Sequence, residues 1–366
     1  MAKNDYVYAV ARIRVLEKGL LTDSFIEQLV NTPDAAGVKR LLAEGWQVTG
    51  IDDLNYFTYP ADIKYARLKY LGINGAALEL TGSATAGDFS FQQMDVTETP
   101  SLKALIIDGN FDLIVHLAGM TSVSASTLSP FIFHSTIVTG LLNVLDGVRD
   151  LPPEQRPRLL YASSAAVYGN APAGLKLSEN DRNRLSPGSI YGVCKCMSEE
   201  LAQTYGRLFG VQALGLRFFN IYGAFSRPDT LAHIVCESLY SDAPIPVYGH
   251  GEITHDFMYI DDCIEVLMQM INQRAGNEAL TDIINVSDPR PVSIGEFISI
   301  LGQIADKTPE LRLMPLPQGE ILSLTADVSH LRELYPGQPQ TELHEGLRRY
   351  YEWFKAYRNR QGILGS

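Results

Sequence analysis

The stretch Val38-Lys-Arg-Leu-Leu-Ala-Glu-Gly-Trp-Gln-Val-Thr-Gly-Ile-Asp-Asp53 decides the fold of this chain. Apolar side chains recur three and four residues apart as far as Gly45, which is the pattern of an amphipathic helix that ends at a glycine. The run from Trp46 to Ile51 then indicates a buried strand, and Asp52 follows it. Helix, glycine, strand and acid in this order indicate the first helix and second strand of a sheet that binds a nucleotide.

Strands and helices continue to alternate after this stretch, which predicts a parallel sheet covered by helices on both faces. The fold class is therefore α/β, a Rossmann-like doubly wound parallel sheet, in which ligands bind beyond the carboxyl ends of the strands. The predicted strands are Trp46–Ile51, Phe89–Gln93, Leu113–Leu117, Arg158–Ser163, Ala213–Phe219 and Ile283–Val286. The predicted helices between them are Pro100–Ile107, Ser135–Asp150, Ile190–Phe209 and Asp261–Asn272.

The pattern divides the chain into three parts. Residues 1–44 are predicted to be an atypical helical segment that replaces the usual first strand and phosphate loop. Residues 45–222 and 257–288 form the nucleotide-binding core. Residues 223–256 and 289–366 carry prolines, loops and short elements, and are predicted to form a smaller carboxyl-terminal substrate lobe.

Composition and charge exclude several classes of function. A net charge of −12 argues against a nucleic-acid surface, and no apolar run is long enough to span a bilayer. The chain begins without an apolar segment of signal-peptide length, and its 4 cysteines lack the spacing of a zinc site. We therefore expect a cytoplasmic protein with reduced thiols, no nucleic-acid or membrane partner and no metal.

The chemical centre is predicted around Tyr191 and Lys195, which lie four residues apart at the start of a helix and so share one face. An ammonium beside a phenol lowers the pKa of the phenol and can make it a general base. Taken alone, this pair is also compatible with a half-buried tyrosine and a solvated lysine on an ordinary helix. A strand that ends at Ser163 and Ser164 adds a hydroxyl at the same edge of the sheet.

These motifs, in this order and spacing, resemble those of the extended short-chain dehydrogenases/reductases of the nucleotide-sugar epimerase/dehydratase group. Within the group, the UDP-glucuronate 4-epimerases are most similar, and the likeness covers about residues 45–354. The motifs are Gly50-Ile-Asp-Asp-Leu-Asn55, His116-Leu-Ala118, Ser163-Ser-Ala-Ala-Val-Tyr-Gly169, Leu216-Arg-Phe-Phe-Asn220, Arg227-Pro-Asp229, Asp256-Phe-Met-Tyr-Ile-Asp-Asp262, Asn285-Val-Ser-Asp288 and Pro317-Gln-Gly-Glu-Ile321.

The resemblance implies an NAD-dependent epimerisation at carbon 4 of a UDP-sugar, through a 4-keto intermediate. Tyr191 would exchange the proton of the 4-hydroxyl, Lys195 would hold the nicotinamide ribose, and Ser164 would bind the reacting oxygen. The cofactor-binding residues implied by the family are Asp52, Asp95, Leu117, Ala118, Tyr191 and Lys195. The substrate-binding residues are Ser164, Asn220, Arg227, His255 and Glu320. Asp52 is also compatible with an ordinary turn, and Arg227 with a solvated surface position.

The glycine-rich phosphate loop of the family is missing. Its three glycines align with Gln28, Asn31 and Asp34, where side chains would fill the space that a pyrophosphate needs, and Asp34 adds a negative charge. Two further departures are His255, where the family has an arginine for the diphosphate, and Ile137, where it has a cofactor-side asparagine.

The first 44 residues instead resemble the amino end of a central-stalk protein of V-type ATPases, in the motifs Tyr8-Ala-Val-Ala-Arg12 and Leu20-Leu-Thr22. Two hypotheses follow for the whole chain. The first is an NAD-dependent 4-epimerase, with UDP-glucuronate as the expected substrate. The second is an epimerase-like scaffold that has lost NAD. The family resemblance also implies a homodimer through helices around Ser135–Asp150 and Ile190–Phe209.

Overall fold

A computed structural model describes most of the chain. The described residues are 8–12, 33–55, 57, 62–172, 174–183, 185–248, 251–272, 281–315, 323–337 and 340–364. Glu320, Gln28 and Asn31 lie outside these ranges.

The core of the molecule is an eight-stranded sheet with the order β12-β8-β6-β5-β1-β2-β4-β3. The neighbours β12, β8, β6 and β5 are parallel to one another, as are β2 and β4. The strands are β1 Tyr8–Arg12, β2 Gln47–Asp52, β3 Ser83–Ala86, β4 Phe89–Gln93, β5 Leu113–His116, β6 Arg158–Ser164, β7 Lys176–Leu177, β8 Ala213–Phe218, β9 Asn220–Tyr222, β10 Ile245–Tyr248, β11 Thr254–Tyr259, β12 Thr281–Val286, β13 Pro291–Ser293, β14 Leu311–Met314 and β15 Ser323–Ala326.

Helices cover both faces of this sheet. Within β5, Ile114 packs into one hydrophobic cluster, and Leu113 and Val115 pack into the other, because successive side chains of a strand point to opposite faces. The helices are α1 Pro33–Ala43, α2 Asp62–Tyr70, α3 Gly75–Thr81, α4 Thr99–Gly109, α5 Val123–Leu128, α6 Pro130–Phe133, α7 Gly140–Asp150, α8 Ile190–Phe209, α9 Leu231–Ser241, α10 Ile260–Asn272, α11 Ile294–Ala305, α12 Ser329–Leu334 and α13 Leu343–Leu364.

The Rossmann-like α/β fold predicted from the sequence is confirmed. All six predicted strands are present with ends shifted by at most two residues, and Ile190–Phe209 is a single helix. The helix predicted at Ser135–Asp150 begins earlier, at Pro130, and includes a π-helical turn over His134–Thr139. Pro130–Asp150 is long and apolar enough to cross a membrane, but 61% of its most apolar window is buried against the protein. It is therefore a core helix of this fold.

The helical prediction for the amino-terminal segment is wrong at Tyr8–Arg12, which forms the strand β1. This strand fills the central place of the sheet between β2 and β5 and runs antiparallel to both. The gap between two neighbouring strands presents two rows of unpaired amide and carbonyl groups, and a short extended segment satisfies both rows. The hydrogen bonds that this place in the sheet offers outweigh the preference of the segment's two alanines for a helix.

Two smaller sheets lie outside the main one. The strands β10 and β14 form a parallel pair. The other small sheet has the order β13-β11-β15-β7, and β9 pairs with β11. Because β9 follows β8 after one residue, the main sheet continues directly into the strands around His255.

A buried ion pair joins the helix α8 to the main sheet. Arg217 of β8 makes two hydrogen bonds of 2.8 Å to the Glu199 carboxylate, and both side chains are about 2% exposed. Ser163 donates to the same carboxylate at 2.5 Å, and Arg217 also donates to Tyr168, which in turn donates to Asn285. Every charge of the pair is therefore met by hydrogen bonds, as a buried ion pair requires.

We expect Arg217→Met to lower the free energy of unfolding by about 3–5 kcal/mol, because it leaves the Glu199 carboxylate buried without its cation. Urea unfolding followed by circular dichroism measures this change. The double variant Arg217→Met with Glu199→Leu should recover most of the loss, since neither charge then remains. Equal stability of the single and double variants would contradict the role given to the pair.

Candidate active site

The carboxyl ends of the parallel strands bring the predicted site residues to one edge of the sheet. Asp52, His116 and Ser164 are the last residues of β2, β5 and β6. Leu117 and Ala118 follow His116 directly, and Ala118 is buried. The geometry is that of an α/β sheet whose ligand cleft opens beyond its strand ends.

Tyr191 reaches this edge from the second position of α8. The Ser189 hydroxyl caps the helix by accepting a 3.1 Å hydrogen bond from the Gly192 amide, which fixes where the helix begins. The phenol hydrogen-bonds to Ser164, and the ring packs edge-on against Phe133 with its side chain almost wholly buried. The predicted tyrosine and serine therefore meet.

Lys195 lies one turn further along the same face. Its ammonium donates a 2.7 Å hydrogen bond to the carbonyl of Ala162 and stands 5.9 Å from the centre of the Tyr191 ring. Burial lowers the pKa of Lys195 to about 8. Burial and the Lys195 charge also hold the pKa of His116 well below its usual range, so that histidine is neutral.

The pKa of Tyr191 differs from the sequence expectation. Burial raises it above the usual value, while the hydrogen bond to Ser164 and the charge of Arg227 lower it. The Lys195 ammonium, 5.9 Å from the centre of the Tyr191 ring, donates to the Ala162 carbonyl, and the charge of Arg227 acts on the phenol. The expectation that Lys195 lowers the pKa of Tyr191 stays a prediction.

Asp52 lies where the family resemblance placed it, but it is already engaged. Its carboxylate is 3.6 Å from the Lys64 ammonium and accepts a 2.6 Å hydrogen bond from the Leu54 amide, and both charged side chains are buried. Asp95 follows the next parallel strand and accepts two 2.8 Å bonds from Thr97, its amide and its hydroxyl. Both carboxylates are thus held in fixed orientations at neighbouring strand ends.

Besides Ser164, the predicted substrate residues Asn220, Arg227 and His255 lie among the described residues. Asn220 donates to the carbonyl of Asp256 at 3.2 Å, and His255 lies on β11 between β13 and β15. Arg227 forms a two-pronged ion pair with Asp229, with bonds of 2.9 and 3.3 Å, and its side chain is 29% exposed. Glu320 lies outside the described residues.

The sequence analysis missed Asp256, which is fully buried beside His255. One carboxylate oxygen accepts hydrogen bonds from the Ala326 amide and the Ser287 hydroxyl, and burial raises the pKa of this carboxyl to about 7. The other oxygen has no hydrogen-bond partner among the described residues. The available signal was an aspartate directly before the apolar run Phe257–Tyr259, because such a charge is seldom fully buried without a partner.

Two observations test whether a dinucleotide fits this cleft. At one end, Gly119 has a φ of 144°, and a Cβ there would lie 3.7 Å from the Lys195 ammonium and 3.1 Å from Ile137. Only glycine therefore keeps the space in front of Lys195 open. At the other end, the Asp52 carboxylate and the Lys64 ammonium offer an acceptor and a donor for ribose hydroxyls. The residues at both ends fit NAD.

The middle of the cleft departs from the usual arrangement. A phosphate turn normally links the carboxyl end of the first strand to the amino end of the first helix. Here β1 is reversed, so Arg12 lies opposite Gln47, at the edge where β2 begins. The amino end of α1 carries Pro33, which has no amide hydrogen to offer a phosphate. The segment that joins β1 to α1 lies outside the described residues, so the loss of the phosphate loop stays a prediction.

Comparison with known proteins identifies a matching family. Residues 35–287 match the NAD dependent epimerase/dehydratase family. A UDP-glucuronate 4-epimerase of Thermodesulfobacterium geofontis is 29% identical over 86% of this chain and 90% of its own length. UDP-glucuronate 4-epimerase 2 of Arabidopsis thaliana is 26% identical over 91% of this chain and 75% of its own length.

Solved structures resemble the whole described fold. A UDP-glucuronic acid 4-epimerase from Bacillus cereus, in complex with UDP-glucuronic acid and NAD, superposes with a TM-score of 0.78. It is 26% identical, and the match covers 88% of this chain and 96% of that one. A Thermus thermophilus UDP-glucose 4-epimerase is 21% identical with a TM-score of 0.74, which is a likeness of fold.

We expect that exchanging residues 1–44 for a strand, a glycine-rich loop and a helix of the family will tighten NAD binding by one to two orders of magnitude. Backbone amides would then contact the pyrophosphate, at about 1.5–3 kcal/mol for each bond to a charged group. Titration calorimetry and the NAD released on denaturation measure the effect. The same exchange with the loop glycines replaced by valine is the control. Unchanged NAD affinity after the exchange would mean that residues 1–44 do not limit cofactor binding.

Proposed function

The chain belongs to the NAD dependent epimerase/dehydratase family, and on that premise we propose that it epimerises a UDP-sugar at carbon 4, with UDP-glucuronate as substrate and UDP-galacturonate as product. The main support for the proposal is that Tyr191, Ser164 and Lys195 lie together at the carboxyl edge of the sheet. The charge of Arg227 also acts on the Tyr191 phenol. The relatives of known activity with 26–29% identity support the same substrate.

In this proposal Tyr191 accepts the proton of the sugar 4-hydroxyl and later returns it. The residues of the cleft would hold NAD, which would supply reversible hydride transfer at carbon 4. Burial raises the pKa of the Tyr191 phenol, and the hydrogen bond to Ser164 and the charge of Arg227 act against that rise. We assign the proton transfer in both directions of the reversible reaction to this phenol.

Ser164 and Lys195 have separate tasks. The Ser164 hydroxyl accepts a hydrogen bond from the Ala166 amide at 3.1 Å, so its own proton can be directed to the sugar oxygen or to Tyr191. The Lys195 ammonium lies over the gap that Gly119 leaves, where the nicotinamide ribose would sit. Fixing these donors in advance stabilises the negative charge that develops on the oxygen of the 4-keto intermediate.

Arg227 is proposed to bind the carboxylate of the sugar. Its planar guanidinium already holds a carboxylate, that of Asp229, with two hydrogen bonds. A substrate carboxylate can replace Asp229 in the same geometry, and a partly exposed arginine can move between the two at small cost. We assign Asn220, His255 and Glu320 to the UDP-sugar side of the cleft, and Asp52, Asp95, Leu117 and Ala118 to the cofactor side.

We also propose a homodimer. The helix α8 exposes apolar side chains at Ile190, Val193 and Met197, which are three and four residues apart and share one face. Leu128 of α5 and Phe131 of α6 are 84% and 87% exposed beside this helix. A contiguous apolar face of this kind is typical of a surface that a second copy covers.

The division of the chain into 1–44, the core at 45–222 and 257–288, and the lobe at 223–256 and 289–366 is part of the proposal. The transition from β8 to β9 supports the junction at about residue 222. We place the protein in the cytoplasm, since all 4 cysteines are buried free thiols.

We expect Tyr191→Phe to reduce epimerisation of UDP-glucuronate by at least about a thousandfold, because the proton of the 4-hydroxyl then has no acceptor. Turnover is measured by chromatographic separation of the two UDP-uronates. Affinity for UDP-glucuronate should stay within a few-fold of the original value. Tyr205→Phe, on the same helix but directed to Asp146, is the control. Retained turnover in Tyr191→Phe would remove this residue from the mechanism.

We expect the double variant Val193→Glu with Met197→Glu to be a monomer in analytical ultracentrifugation, whereas the original chain sediments as a dimer. Two charges on each copy would face one another in an apolar contact. Leu80→Glu is the control, because Leu80 of α3 is 85% exposed and distant from α8 in the fold. A monomeric original chain would refute the proposed dimer.

A further inference from the structure

The side chain of Arg67 crosses from the cofactor side of the molecule to the loop that carries Arg227. Arg67 belongs to α2, one turn after Lys64, and it is only 6% exposed. Its Nη2 donates a 2.7 Å hydrogen bond to the main-chain carbonyl of Phe225, 158 residues away in sequence. A buried guanidinium directed to a carbonyl of a loop fixes the position of that carbonyl.

Phe225 has an unusual backbone that needs such a contact. Its φ is 55°, in the left-handed region, which costs a bulky residue free energy and is kept only where the surroundings impose it. The ring is clamped on both sides, with centroid distances of 5.6 Å to Tyr70 and 5.2 Å to Trp353. The side chain and the carbonyl of Phe225 are thus both held in place. The helix α2 supplies one contact to each, Tyr70 to the ring and Arg67 to the carbonyl.

Arg227 follows Phe225 by two residues. Among the described residues, the side chain between them adds only a weaker anchor, since the Ser226 hydroxyl makes contacts of 3.4 Å, to Tyr350 and Thr230. The Arg227 carbonyl accepts a 2.8 Å hydrogen bond from the Thr230 hydroxyl, so Phe225 on one side and Thr230 on the other set the position from which the Arg227 side chain extends.

We propose that Arg67 is a positioning residue for Arg227, and that the helix α2 thereby sets the recognition of the sugar carboxylate. The inference rests on the proposed function, in which Arg227 binds that carboxylate. Arg67 acts through the Phe225 carbonyl and does not touch the substrate. The same helix holds Asp52 through Lys64, so one rigid element fixes a cofactor residue and the substrate loop together.

The first experiment uses Arg67→Met in the full chain. Hydrogen exchange followed by mass spectrometry should show the amides of residues 223–230 exchanging about tenfold faster than in the original protein, because the left-handed turn loses its anchor. The matched control is Arg158→Met, which removes an arginine that donates at 2.6 Å to the Met270 carbonyl, far from this loop. Unchanged exchange in Arg67→Met would overturn the proposal.

The second experiment measures how the loop at residues 223–230 affects the choice between UDP-sugars. With NAD present, calorimetry compares the affinities for UDP-glucuronate and for UDP-glucose. Arg67→Met should lose roughly tenfold of the preference for UDP-glucuronate, while the affinity for UDP-glucose stays within about twofold. An equal loss for both sugars would indicate a general structural role and refute positioning.

A double-mutant cycle with Arg227→Met tests whether Arg67 affects the preference for UDP-glucuronate through Arg227 or in another way. If Arg67 acts through Arg227, adding Arg67→Met to Arg227→Met should reduce the preference no further. If the two substitutions reduced the preference independently, so that their fold losses multiplied in the double variant, the proposal would be overturned. If the original protein shows no preference for UDP-glucuronate, the proposed substrate fails, and hydrogen exchange of residues 223–230 still decides the positioning role.

A second variant covers the case in which Arg67→Met does not fold. Arg67→Gln keeps a polar side chain on α2 but shortens it and removes the guanidinium that donates to the Phe225 carbonyl. The same faster exchange and the same loss of preference are expected. Unchanged exchange and preference in a folded Arg67→Gln would overturn the proposal.

Discussion

The buried ion pair between Glu199 and Arg217 is the interaction on which the candidate active site depends. Glu199 is one turn after Lys195 and two turns after Tyr191, so whatever fixes it also fixes the face of α8 that carries them. Its carboxylate also binds Ser163, the neighbour of Ser164. One pair of charges therefore sets the helix and the strand end relative to each other, and Tyr191 meets Ser164 as a result.

The helix α2 has a comparable role on the other side of the cleft. Lys64 holds Asp52 at a strand end, and Arg67, three residues later, holds the carbonyl of Phe225. Both cations are buried, so each needs a nearby acceptor. The reversed strand β1 shows a different case, in which a place in the sheet is filled by backbone hydrogen bonds to both neighbouring strands.

The proximity of the candidate catalytic residues was largely predictable from sequence. Tyr191, Lys195 and Ser164 have fixed spacings within one helix and at one strand end, and parallel strands bring their carboxyl ends together. Glu199 could have been found in the same way, because it continues the i, i+4 series from Lys195. The direction of the Tyr191 pKa could not, since burial between packed elements raises it, and Ser164 and Arg227 act against that rise from other parts of the chain.

By itself, the sequence determined the order of strands and helices, the sheet edge that carries the chemistry and the missing glycine loop, because these follow from local periodicity and residue type. Only the tertiary structure decided the direction of β1, the burial of Asp256 and the contact of Arg67 with Phe225. Each of these joins residues far apart in the chain, and the last two are 158 positions apart. Such contacts are selected by packing and by the need to pair buried polar groups, and neither is encoded in any short stretch of sequence.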